Sequence, residues 1–158
     1  MTAPDTPQTQ TPVLPALADF PFPTALVVTG APAPDGGALY ESGDVDEIFP
    51  FASVTKPIVA WSALVAVDRG LLDLDAPAGA PAPDGATIGH LLSHSSGIAT
   101  DSDERLATPG TRRIYSNRGI EILGERLQEA TGTPLETWVE STVLEPLGMA
   151  SVLIPGSP

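Results

Sequence analysis

Cysteine is absent from the 158 residues, which excludes a disulfide frame, a thiolate metal site and a cysteine nucleophile, and leaves the redox compartment open. Cations are scarce: six arginines and a single lysine, Lys56, stand against 20 acids, for a net charge of −13. So acidic a chain repels nucleic acid and anionic membrane surfaces, which argues against a nucleic-acid reader. No cation precedes Lys56, so the sequence offers no positive n-region of a secretory signal. Long apolar runs are missing too. The longest, Ile58 to Val67, is interrupted by Ser62; it is too short for a bilayer span but suits a buried helix. The chain therefore reads as soluble and cytoplasmic, with no membrane partner. Aromatic residues make up only 5%, yet 42% of residues are hydrophobic and the mean hydropathy is +0.11. That is enough for a core and excludes disorder throughout, and the length suggests one domain.

Residues 1–23 carry six prolines among Thr, Gln and Asp, which removes the donors that helices and sheets need. This segment reads as a mobile, unstructured tail that docks, if anywhere, through Phe20 and Phe22. The β-branched run at residues 24–29, the turn-rich residues 31–37 and the run at residues 38–41 predict a hairpin. From Ser53 to Val67 apolar residues occupy almost every face, which predicts a buried helix over 53–69, with Gly70 in the left-handed position after it. Residues 76–86 (APAGAPAPDGA) read as a connection. Thr87 opens a short helix through His94, and an acidic, irregular stretch follows Gly97. Asn117 starts a helix whose Ile120, Leu123 and Leu127 recur at helical spacing and which Thr131-Gly132 stops. Thr133-Pro134, with Glu136 three residues after the cap, begins the last helix. It runs to about Leu144 and closes a helical lobe spanning about 86–148.

The one lysine stands three residues after a serine, in Ser53-Val54-Thr55-Lys56. Only an amine, not a guanidinium, can lose its proton in a protein and act as a base. At i+3 spacing the amine shares a helix face with the hydroxyl, and a helix N-terminus offers free N–H groups to an oxyanion. On its own the S-x-x-K pattern is weak, because with eleven serines in 158 residues any lysine has a serine three places before it by chance about one time in fourteen. Tyr115-Ser116-Asn117 precedes a helix: a phenol can relay a proton and a carboxamide can both donate and accept. Taken alone, that trio reads as packing plus an Asn cap. His90 and His94, spaced i, i+4, lack the glutamate of H-E-x-x-H and a third ligand, so they read as structural and no metal site is assigned. Asp101, Asp103 and Glu104 lack the spacing of a calcium loop and read as a solvated loop.

Together, Ser53-Val-Thr-Lys56-Pro57, Leu71-Leu-Asp-Leu-Asp75, His90-Leu-Leu-Ser-His-Ser-Ser-Gly97, Tyr115-Ser-Asn117 and Glu145-Pro-Leu-Gly-Met149 occur in the order seen in serine β-lactamase-like hydrolases. They resemble the branch that holds class C β-lactamases, D-alanyl-D-alanine carboxypeptidases and esterases, over about residues 24–150. The resemblance implies an α/β (α+β) fold of β-lactamase/transpeptidase type, with hairpin strands and a helical lobe. It also implies acyl transfer from an ester, peptide or β-lactam to Ser53, with hydrolysis of the acyl-enzyme by water and no cofactor. Ser53 would be the nucleophile and a source of one oxyanion N–H, Lys56 its activating partner, Tyr115 the general acid or base, and Asn117 a contact to the substrate amide. The histidine-bearing segment would be scaffold.

Family members continue past the Pro-Leu-Gly-Met block into further strands, one bearing a Lys-Thr-Gly or His-x-Gly triad. From that departure we expect residues 24–158 to form an incomplete domain, impaired in turnover, with a strand edge prone to self-association. The competing readings are a catalytically impaired binding module or partner-dependent fragment of the same family, and a small acidic interaction domain in which the five blocks are structural.

Overall fold

The structure, a computed structural model, describes residue 17, residues 19–29 and residues 38–152. The expected tail falls mostly outside these residues, as does the turn at residues 31–37. Within the described part, Phe20 and Phe22 lie exposed, their ring centroids 5.4 Å apart. The chain divides into two compact units, Met1–Pro50 and Phe51–Pro158.

The first unit holds the expected hairpin, β1 (Ala25–Thr29) and β2 (Ala38–Gly43). The strands pair antiparallel from Ala25 opposite Gly43 to Thr29 opposite Ala38, with an irregularity between Val28 and Thr29. Gly43 closes the ladder at φ +82°, where a Cβ would stand 2.2 Å from the Thr24 carbonyl oxygen, so only glycine fits. Asp44 then ties the open end. Its carboxylate accepts the Thr24 N–H at 3.0 Å and its own N–H donates to the Thr24 carbonyl at 2.8 Å.

The second unit is helical: α1 (Thr55–Asp68), α2 (Ile88–Leu92), α3 (Asn117–Thr131) and α4 (Leu135–Val139). A 3-10 turn, Ala52–Val54, precedes α1, and a π-helical turn, Glu140–Leu144, follows α4. The helix predicted from residue 53 thus becomes α-helical only at Thr55, and Ser53 sits in the 3-10 turn. Nor is α1 buried all round. It packs on α3, α4 and the π turn through Val59, Ser62, Ala63 and Ala66, an i, i+3, i+4, i+7 stripe. Trp61 and Leu64, off that stripe, stay 59% and 46% exposed. Ile88, Leu91, Ile98, Ile122, Leu123, Leu127 and Trp138 fill the core beside them, and the Trp138 indole N–H donates to the Ser62 carbonyl at 3.0 Å. Gly124 lets α4 approach α3, since a Cβ there would meet Leu135 Cδ2 at 2.8 Å.

The connection at residues 76–86 makes no regular ladder, as expected, but it is part of the core: Ala78, Ala82 and Ala86 are buried and Pro77 bridges to Thr87. Two caps differ from expectation. Ser116, not Asn117, caps α3, its hydroxyl accepting the Gly119 N–H at 2.8 Å. Pro134, not Thr133, is the N-cap of α4, and the Gln128 side chain, reaching from α3, accepts the Leu135 N–H at 3.0 Å. Gly132 at φ +65° ends α3 as expected.

Candidate active site

Ser53, Lys56 and Tyr115 meet, although Tyr115 lies 62 residues from the serine. The single 3-10 turn before α1 sets the Ser53 hydroxyl one helical turn from Lys56, whose ammonium donates to Ser53 Oγ at 3.1 Å. The Tyr115 hydroxyl donates to the same oxygen at 2.8 Å. Lys56 Nζ also stands 4.9 Å from the centre of the Tyr115 ring, within cation–π range. The Lys56 ammonium, with the Ser53 hydroxyl second, holds the Tyr115 phenol below its ordinary 10.0, because both favour the phenolate.

These three side chains open onto a cleft of about 220 Å³, walled by Pro57, Ala60, Leu92, His94 and Ile120. Backbone strain flanks it. Ala52, directly before the serine, has φ +45°, and His94 has φ +56°, conformations unfavourable to residues with a Cβ. His94 is no longer on a helix: α2 ends at Leu92 with Ser93 as its C-cap, so the i, i+4 face expected for the two histidines does not form. His90 turns back into a capping box, its Nδ1 accepting the Thr87 N–H at 3.1 Å. His94 lines the cleft wall. Its pKa lies below 6.5 through burial first, then through Arg113 and Lys56. Among the described residues, no group of three or more His, Asp or Glu is placed to hold a metal ion.

Asn117 is not hydrogen-bonded to these three residues. Its amide Nδ2 donates to Asp101 Oδ1 at 2.5 Å. A carboxylate only accepts, so this bond fixes which end of the amide faces Asp101 and leaves the Asn117 carbonyl oxygen turned from it. The acidic loop is therefore exposed yet engaged: Asp103 accepts from Arg118 Nε at 2.6 Å, and Asp101 holds Asn117. Sequence reasoning missed Asp101 and the cleft position of His94. A carboxylate 16 residues from its amide leaves no periodic signal, and nothing in the sequence separates a histidine that ends a helix from one that continues it.

A serine hydroxyl held between an amine and a phenol at a helix start, opening on an apolar cleft, defines a class of site rather than one protein. The Beta-lactamase family model matches residues 27–157, and the chain belongs to that family. It is 36% identical over 148 residues to Esterase EstB of Burkholderia gladioli, a match covering 66% of this chain and 38% of that protein. Penicillin-binding protein 4 of Amycolatopsis lactamdurans is 31% identical over 134 residues, covering 66% and 35%. A beta-lactamase structure from Mycobacterium bovis superposes with a TM-score of 0.78 at 43% identity, covering 90% of this chain and 50% of that one. The chain thus spans half or less of the length of each of these relatives. The fold is of the expected β-lactamase/penicillin-binding-protein type. Among the described residues, no helix is long and apolar enough to cross a membrane.

Proposed function

We propose that the chain carries the nucleophile half of a serine hydrolase site that transfers an acyl group from an ester or amide to Ser53 and then to water. The observation that carries this reading is the Ser53 oxygen held at once by Lys56 and Tyr115, at 3.1 and 2.8 Å. Once Tyr115 is deprotonated, its bond reverses, and the Ser53 hydroxyl donates to the phenolate. The phenolate takes the serine proton as Oγ bonds to the substrate carbonyl carbon. The Ser53 main-chain N–H, in the turn that opens α1, donates to the developing oxyanion. Collapse breaks the bond to the leaving alkoxide or amine, which takes the proton from Tyr115, and water later cleaves the acyl-enzyme by the same proton route. Lys56, as a cation, keeps the phenolate accessible. Asn117 presents its carbonyl to the N–H of an amide-bearing acyl group. Relatives named esterase, beta-lactamase and D-alanyl-D-alanine-carboxypeptidase/endopeptidase make simple esters, β-lactams and D-Ala-D-Ala-like peptides the substrate classes to try.

Intact-mass analysis after incubation with a fluorophosphonate tests this reading, because attack by Ser53 Oγ expels fluoride and leaves one adduct. A single adduct mapping to Ser53 and lost in Ser53→Ala is expected. An adduct on Ser95, Ser96 or Ser116 that persists in Ser53→Ala would overturn it. Acylation by a β-lactam or ester without release would instead favour the impaired binding-module reading.

A further inference from the structure

Tyr115 is only useful if its oxygen stays on Ser53, yet it lies in an irregular segment and is 44% exposed. Three contacts from one residue hold it. The His94 carbonyl accepts the Ile114 N–H at 2.7 Å, and His94 Nδ1 accepts the Ser116 N–H at 3.2 Å. These bonds grip the main chain on both sides of Tyr115. The His94 ring also lies against the Tyr115 ring, centroids 4.7 Å apart and tilted by 37°. One residue can reach all three points because its backbone is left-handed, at φ +56°, a conformation that bends the chain out of α2 and that residues with a Cβ adopt reluctantly.

We propose that His94 is a positioning residue that clamps Tyr115 against Ser53, and that it does so as a neutral imidazole accepting through Nδ1. Protonation would turn Nδ1 into a donor facing the Ser116 N–H and break the clamp. The charged groups that face the ring oppose that protonation: Lys56 from α1 and Arg113 from the segment leading to α3. Tyr115, from that same segment, is the remaining titratable contact. This inference rests on the acyl-transfer reading for its kinetic arm alone; its titration arm is independent of activity.

Two variants divide the clamp. His94→Asn keeps an acceptor on the same branch as Nδ1, tolerates a left-handed backbone and does not titrate. His94→Phe keeps the ring and loses the acceptor. At pH 7.5 we expect the Asn variant to label Ser53 with a fluorophosphonate within about threefold of the parent, and the Phe variant to be slower by about tenfold or more, as a misplaced proton acceptor requires. The ratio of parent to Asn-variant rates should fall as pH drops below 6.5, because only the parent loses its acceptor there. The phenol of Tyr115, followed by ultraviolet titration against a Tyr115→Phe counterpart, should stay low in the parent and the Asn variant and rise toward its ordinary value in the Phe variant. Equal labelling by both variants, a rate ratio flat from pH 8 to 5, or a Tyr115 titration unmoved by His94→Phe would each overturn the clamp. If Ser53 labels in no protein, the acyl-transfer reading fails and the titration alone decides. If the Phe variant does not fold, the rate ratio decides.

Discussion

At Ser53 two neighbours bond one oxygen, and under the proposed acyl transfer substitution separates their parts. Tyr115→Phe removes the hydroxyl that contacts Ser53 Oγ and whose ionisation is shifted toward the base form, so acylation should fall by about 10²–10⁴. Because the Tyr115 phenol lies below 10.0, the parent rate should climb with pH and level off before an ordinary tyrosine would titrate, and the variant should lack that rise. A near-parent rate in Tyr115→Phe would instead make Lys56 the proton acceptor. Lys56→Arg keeps a positive charge but replaces a compact ammonium with a wide planar fork, and should cost at least about tenfold while the protein still folds. Asp101→Ala should act on binding more than on turnover. With the Asn117 amide free to flip, KM should rise for acyl groups bearing an amide, and little for simple esters, by a factor of about 5–10 for one lost hydrogen bond. Equal effects on both substrates would remove Asn117 from the amide contact. The ordered motifs singled out Ser53, Lys56 and Tyr115, which the structure brings together, and Asn117, which it places on Asp101 instead. The parts of Asp101 and His94 were not legible, since they depend on a loop and a helix end whose geometry no spacing encodes.

Elements place these residues, and their ends carry the strain. Ala52 holds φ +45° at the entry to the turn that carries Ser53, a conformation glycine adopts without penalty. Ala52→Gly should therefore stabilise the protein by about 1 kcal/mol, raising Tm by about 2–4 °C in a thermal scan. An unchanged or lower Tm would mean that the turn is not strained. Ser116 does the opposite service. Its buried hydroxyl accepts the Gly119 N–H at 2.8 Å and donates to the Ala99 carbonyl at 2.6 Å, joining the start of α3 to the loop that carries Asp101. Ser116→Ala loses a cap and strands a buried carbonyl, so urea denaturation should show a loss of about 2–4 kcal/mol. A loss under about 1 kcal/mol would mean that water replaces the hydroxyl. The helices themselves were legible because apolar spacing in α3 and glycines at 70 and 132 mark them. The cap of α3 was not: serine and asparagine stand side by side before it, and their capping preferences are too close to separate.

Across the whole chain, charge and core are distributed unequally. All seven cations lie at Lys56 or beyond, whereas residues 1–50 carry acids alone. The cluster of buried apolar residues runs from Val59 to Trp138, wholly within the second unit, and so do Ser53, Lys56, Tyr115 and every residue that walls the cleft. The apolar run of α1 foretold a core helix, but its one-sidedness, with Trp61 exposed, came from the packing partners and not from the pattern of α1 itself, which is apolar on almost every face. A unit that owns its core should fold by itself, while a lone two-stranded hairpin is marginal. A fragment of residues 51–158 should therefore melt cooperatively and label at Ser53, and a peptide of residues 17–50 should show no transition. Trp61→Phe leaves Trp138, at 7% exposure, as the sole indole, so its fluorescence reports the core directly. If that fluorescence in the fragment already matches the denatured protein, residues 1–50 are needed to hold α1 and α4 together, and the core is not the property of one unit.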